Sequence, residues 1–147
     1  EDGDAYVSDI GLMRLIKILY NLDTTNSLSV SKYTPPELWQ GEKPDARSDQ
    51  YTLACLLYEL LTGQAPFNSA SIFALMKSHT NDDVKPPHLL RKDLPAELAV
   101  VFWQALAKPP SKRHRSIMSF YDELETALSG QWGDPTDFFT EVIDLSS

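Results

Sequence analysis

Asp45-Ala46-Arg47-Ser48-Asp49-Gln50-Tyr51-Thr52-Leu53-Ala54-Cys55-Leu56-Leu57-Tyr58-Glu59-Leu60-Leu61-Thr62-Gly63 is the stretch on which the fold turns. Over residues 48–62, Tyr51, Leu53, Ala54, Cys55, Leu56, Leu57, Leu60 and Leu61 leave almost no polar face. A helix that is apolar nearly all round has to be surrounded by other elements, so a buried central helix is predicted. Gly63 is the residue type that closes such a helix, and Pro66 keeps it from resuming. The apolar run at 53–61 is interrupted by Glu59 and falls far short of the roughly 20 residues that span a bilayer.

Three more helices are predicted downstream. The first covers 69–80, with Ser69 as N-cap and Ile72, Phe73, Leu75 and Met76 as its apolar set. A connector containing Pro86-Pro87 leads to the next, about 95–107, with proline in its first turn and Leu98, Val101, Phe102, Ala105 and Leu106 facing inward. The last, 116–129, puts Ile117, Phe120, Leu124 and Leu128 on one face and stops at Gly130. The tail at 131–147 has four acids and no base.

Upstream, Asp2-Gly3 is a hairpin-type turn signal followed by the short strand Ala5-Tyr6-Val7-Ser8. Such a strand needs a partner for its backbone groups, and that partner is expected before Glu1, in a longer parent chain. Residues 12–20 read as one or two helical turns, and 21–32 as an exposed loop with the hydroxyls Thr24, Thr25, Ser27, Ser29 and Ser31. Loops this long inside compact domains are often functional. Tyr33-Thr34-Pro35-Pro36-Glu37 then stiffens the backbone.

The 147 residues carry 13 Lys+Arg against 21 Asp+Glu, a net charge of −8. So acidic a chain is poorly suited to nucleic acid or anionic lipid. A 42% hydrophobic content is too high for a disordered chain. The single cysteine, Cys55, excludes an internal disulfide framework and suits a reducing compartment, so a cytoplasmic location is expected. His79, His88 and His114 lack the spacing of a shared metal site. Trp39, Trp103 and Trp132 read as core or interface anchors, and the basic run Lys108, Lys112, Arg113, His114, Arg115 as a solvated face.

The order of these segments is informative. Ser8-Asp9-Ile10-Gly11-Leu12, the hydroxyl-rich loop, Tyr33-Thr34-Pro35-Pro36-Glu37, Asp45 to Tyr51 opening the buried helix, and Leu106-Ala107-Lys108-Pro109-Pro110 with Arg113 follow one another at natural distances. Together they resemble the C-terminal half of a bacterial eukaryotic-like (Hanks-type) serine/threonine protein kinase, over about residues 1–129. The fold class this implies is mainly α: the large helical lobe of the kinase fold with a short N-terminal β segment and no N-terminal lobe. The kinase portion is expected at 1–130 and an acidic tail at 131–147.

By the same resemblance, Asp9 corresponds to the Mg²⁺-holding aspartate of the DFG motif, with Ile10 in place of phenylalanine and Gly11 giving the turn its freedom. Pro35-Pro36-Glu37 matches the APE motif with proline for alanine, and Arg113 stands where the partner of that glutamate belongs. Asp49 matches the aspartate that opens the central helix. Ser29, Val30, Ser31 and Thr34 fall on the substrate-facing loop, and Thr24, Thr25, Ser27, Ser29 and Ser31 are candidate phosphorylation sites in the activation loop. Val30 stands where the family has threonine and lacks the hydroxyl that contacts the catalytic groups.

Phosphoryl transfer draws on parts spread over the whole kinase fold. The Gly-rich loop, the strand lysine and the HRD catalytic loop all precede the DFG motif in the family, and only eight residues precede Asp9 here. The expectation is therefore part of a serine/threonine kinase that uses ATP and Mg²⁺ in a full-length parent. The 147 residues alone should be inactive and should not bind the nucleotide tightly. A pseudokinase-like protein-binding module is the alternative. Either way the expected partner is a protein, as substrate or as ligand, with no nucleic acid and no membrane segment.

Overall fold

The computed structural model describes residues 32–132, with side chains through residue 129. Among these residues the structure is helical and contains no strand. In chain order the helices are α1 (Pro36–Trp39), α2 (Ala46–Thr62), α3 (Ile72–Asn81), α4 (Pro87–Leu90), α5 (Leu98–Ala105) and α6 (Ile117–Trp132), with a 3₁₀ turn at Pro110–Lys112 between the last two. This is the mainly α architecture expected for a kinase large lobe. The β segment expected at 5–8, the turns at 12–20 and most of the tail lie outside the described residues.

Helix α2 is the hub. It packs against α4 and α5, α5 packs on α6, and α1 rests on α3. Tyr51, Ala54, Cys55, Tyr58 and Leu61 on α2 are buried, and the core continues through Leu98, Phe102 and Ala105 on α5 to Phe120, Leu124 and Leu128 on α6. Phe102 joins the layers, meeting Tyr58 edge-on at 5.3 Å between ring centres and Phe120 at 6.2 Å. The N-terminus of α2 is closed reciprocally. Asp45 Oδ1 accepts from the Arg47 and Ser48 backbone N–H groups, while the Asp45 N–H donates to Ser48 Oγ. At the other end Gly63 takes φ +75° and donates its N–H to Glu59 O.

Several boundaries differ from the sequence expectation. Helix α3 starts at Ile72 with Ser71 in the cap position and no side-chain cap bond, and Ser69 Oγ instead accepts the Ser71 N–H in the preceding turn. The apolar set of α3 is also turned differently: Leu75 and His79 are buried, whereas Phe73 is 76% exposed. Residues 95–97 form a tighter turn before α5, with N–H groups bonded three residues back (Leu98 to Pro95, Ala99 to Ala96). Helix α6 runs past Gly130, since one glycine costs a helix about 1 kcal/mol and does not end it. The connector at 86–90 contains a helical turn that proline favours at its first position.

The basic run at 108–115 is not a solvated face. Arg113 and His114 are buried and Lys108 is partly so, leaving Lys112 and Arg115 exposed. Cys55 is buried in the core. Trp39 is half-buried and Trp103 is exposed, and their indole N–H groups donate to Thr34 O and Val84 O. Among the described residues no helix is long and apolar enough to cross a membrane.

Candidate functional site

The polar centre of the structure lies where α1, the start of α2 and the turn before α6 converge. Glu37, on α1, is 3% exposed, and the Arg113 side chain is fully buried. Two parallel bonds join them, Arg113 Nη1 to Glu37 Oε1 at 2.8 Å and Nη2 to Oε2 at 2.7 Å. The remaining guanidinium N–H groups donate to backbone carbonyls: Nε to Ala107, Nη1 to Arg47 and Nη2 to Lys108. All five donors of the guanidinium are thus satisfied. Its carbon sits 4.7 Å from the centre of the Tyr51 ring.

On the acidic side, Ser48 Oγ donates to Glu37 Oε1 at 2.7 Å, so one hydroxyl serves both the cap of α2 and the ion pair. Burial pushes the Glu37 carboxyl upward, but the bonds from Arg113 and Ser48 outweigh it and hold the group below its ordinary value. A charged pair inside protein is sustainable only with such complete hydrogen bonding.

The segment leading into α1 is held just as closely. Tyr33 is 4% exposed; its hydroxyl donates to Glu59 Oε2 at 2.6 Å, and its carbonyl accepts from Thr52 Oγ1 at 3.0 Å. Thr34 is half-buried and its carbonyl accepts the Trp39 indole. Beneath, Tyr51 Oη lies 2.9 Å from His79 Nδ1. Burial lowers the His79 pKa to about 4, so the imidazole is neutral, and its tautomer sets the direction of the bond to Tyr51.

The structure brings Glu37 and Arg113 together, leaves Thr34 half-buried three residues ahead of Glu37, and puts Asp49, partly exposed, in the first turn of α2. Asp9, Gly11, Thr24, Thr25, Ser27, Ser29, Val30 and Ser31 lie outside the described residues. Among the described residues no cluster of three or more His, Cys, Asp or Glu could hold a metal ion.

Sequence reasoning missed Ser48, Tyr33, Glu59 and His79 as members of this network. Asp45 followed three residues later by Ser48 is a reciprocal-cap pattern and was a usable signal. The Tyr33–Glu59 and Tyr51–His79 contacts join positions 26 and 28 apart, which no local periodicity links.

Comparison with known proteins follows the same lines. A family model described as protein tyrosine and serine/threonine kinase matches residues 1–119. The serine/threonine-protein kinase PknB of Mycolicibacterium smegmatis is 35% identical over 138 residues, 92% of this chain and 22% of the relative. PknB of Mycobacterium tuberculosis is 35% identical over 127 residues, 85% of this chain and 20% of the relative. The tyrosine-protein kinase MasK of Myxococcus xanthus is likewise 35% identical over 127 residues, 86% of this chain and 20% of the relative. The chain spans about one fifth of the length of these relatives.

Proposed function

The chain belongs to the protein tyrosine and serine/threonine kinase family, and from that premise we propose that it supplies the helical large-lobe part of a serine/threonine protein kinase. The parent would transfer the γ-phosphate of ATP to protein Ser or Thr. The observation that carries this reading is the buried, fully bonded Glu37–Arg113 pair, which ties the end of the loop segment to the helical core. Phosphoryl transfer is mostly positioning. In that scheme Glu37, Arg113 and Asp49 hold the framework. Tyr33, bonded to Glu59 and Thr52, fixes the backbone next to the substrate-facing residues Ser29, Val30, Ser31 and Thr34.

Asp9 would be the Mg²⁺ ligand, with Gly11 shaping the turn after it; bound Mg²⁺ neutralises charge on the phosphates. The kinase portion is assigned to 1–130 and the acidic tail to 131–147. The 147 residues alone are proposed to be inactive. The test uses the longest in-frame polypeptide that contains these residues, given labelled Mg·ATP and a generic protein acceptor. Label on serine or threonine that disappears in Asp9→Asn is the expected result. Transfer to tyrosine alone, or transfer indifferent to Asp9→Asn, overturns the assignment. Val30, in the family's threonine position, favours a second reading as a non-catalytic protein-binding module. Absence of any ATP-dependent labelling, with a partner protein retained, decides for it.

A further inference from the structure

Helix α5 is apolar all round, Gln104 apart, yet its outer face is open. Leu98, Ala99, Val101, Phe102 and Ala105 are buried, whereas Val100 is 62% exposed and Trp103 51%. These two stand one turn apart on the same face. An all-apolar helix is the kind that other elements surround, and here one side of it meets water. The Trp103 ring is already held in place, its indole N–H donating to Val84 O at 3.1 Å.

Two cavities adjoin this face. One, of about 670 Å³, lies between α5 and α6, with Val101 and Ala127 as apolar wall and Glu97, Asp122 and Glu123 around it. The other, of about 600 Å³, lies between α5 and the 82–86 segment, with Val84, Trp103 and Leu106 as apolar wall and Asp82 and Asp83 at its edge. All five carboxylates are on exposed residues. Among the described residues Glu97, Asp122, Asp82 and Asp83 form no salt bridge, and Glu123 meets the His114 imidazole. The bases in the two linings are the exposed Lys85 and Lys108, whose ammonium is engaged by Ser78 O.

We propose that the outer face of α5 is a docking surface for a lysine- or arginine-rich amphipathic helix of a partner protein. The apolar side of that helix covers Val100 and Trp103, and its basic groups meet the carboxylates of the adjoining cavities. An exposed stripe at i, i+3 spacing is what a second helix packs against. Tryptophan is among the side chains that dominate interfaces, and a ring fixed beforehand loses little freedom on binding. Charge selects the occupant. A second copy would set a net charge of −8 against another −8, and the 131–147 tail, with four acids and no base, is repelled in the same way.

The experiment titrates the full chain, with no nucleotide present, into a labelled amphipathic leucine–lysine peptide and reads fluorescence anisotropy, so that failure here leaves the phosphoryl-transfer reading untouched. Saturable binding that salt weakens is expected. Val100→Ser and Trp103→Ala should each weaken it by about tenfold, as should Glu97→Lys combined with Asp122→Lys, with each variant's urea midpoint confirming that it is folded. Val100→Ser breaks no hydrogen bond, so it carries the test if Trp103→Ala loosens the 82–86 segment. No binding, binding indifferent to Val100→Ser, or equal binding of a leucine–glutamate peptide of the same pattern overturns the proposal. A dimer in sedimentation that Val100→Ser dissolves overturns it too and assigns the face to a second copy.

Discussion

Arg113 and Glu37 show what it takes to keep a charge inside a small helical structure. Either partner alone would be stranded, since neither side chain reaches solvent to any extent. Glu37→Ala and Arg113→Ala should each destabilise the fold by about 3–5 kcal/mol, measured as a fall in the urea midpoint. A midpoint unchanged in both variants would refute the energetic role of the pair. Arg113→Lys should recover little, because an ammonium cannot replace a planar five-donor fork. The same pair has a pH signature. The Glu37 carboxyl is lower when folded than unfolded, so its stabilisation is present above the ordinary carboxylate range and is lost as pH falls through the lowered value. His79 acts in a different window. Its pKa is about 4 when folded against 6.5 unfolded, so the unfolded chain takes up the proton first and stability falls as pH drops from 6.5 toward 4. Between pH 7 and pH 5 this contributes a loss of roughly 2 kcal/mol. His79→Asn, which keeps a hydrogen-bonding group for Tyr51, should flatten that limb of the denaturation curve while leaving the Glu37 limb at lower pH.

At the scale of single elements, the ends of α2 are where one side chain decides most. Ser48→Ala removes half of the reciprocal cap and one bond to a buried carboxylate, and should cost about 1–3 kcal/mol in thermal or chemical unfolding. Gly63→Ala meets no atom within 4 Å, so its cost, about 1 kcal/mol, comes from the left-handed backbone alone. These elements also mark how far the sequence could be read. Helix α2 was legible because its apolar residues leave no polar face, and the inward faces of α5 and α6 because their periodicity has a single solution. Helix α3 was not. Ile72, Phe73, Leu75 and Met76 wrap too much of its circumference for the pattern to choose, and packing against α1 buries Leu75 while leaving Phe73 in solvent. The start of α5 misled for a local reason: proline suits both a helix N-terminus and the tighter turn found at 95–97. Glu37 and Arg113, 76 positions apart, were paired only through the resemblance in motif order, and the basic run around Arg113 was misjudged because charge count says nothing about burial.

The molecule as a whole invites a test on nucleotide. In the kinase reading the phosphates and metal are gripped by groups from both lobes, and within these 147 residues Asp9 is the only assigned metal ligand. One carboxylate in water holds Mg·ATP weakly, because Mg²⁺ dehydrates reluctantly and the triphosphate needs several preorganised donors. Binding to the folded state alone would raise stability by RT ln(1 + [L]/Kd). A dissociation constant ten times below the applied Mg·ATP concentration would add about 1.4 kcal/mol, or roughly 5 °C in Tm for a chain of this size. The expectation is a Tm shift below about 1 °C and no calorimetric heat beyond dilution, with Asp9→Asn indistinguishable from the parent sequence in both. A shift of several degrees that Asp9→Asn abolishes would mean that these residues assemble a nucleotide site unaided, and the view of them as an inactive half of a divided cleft would have to be given up.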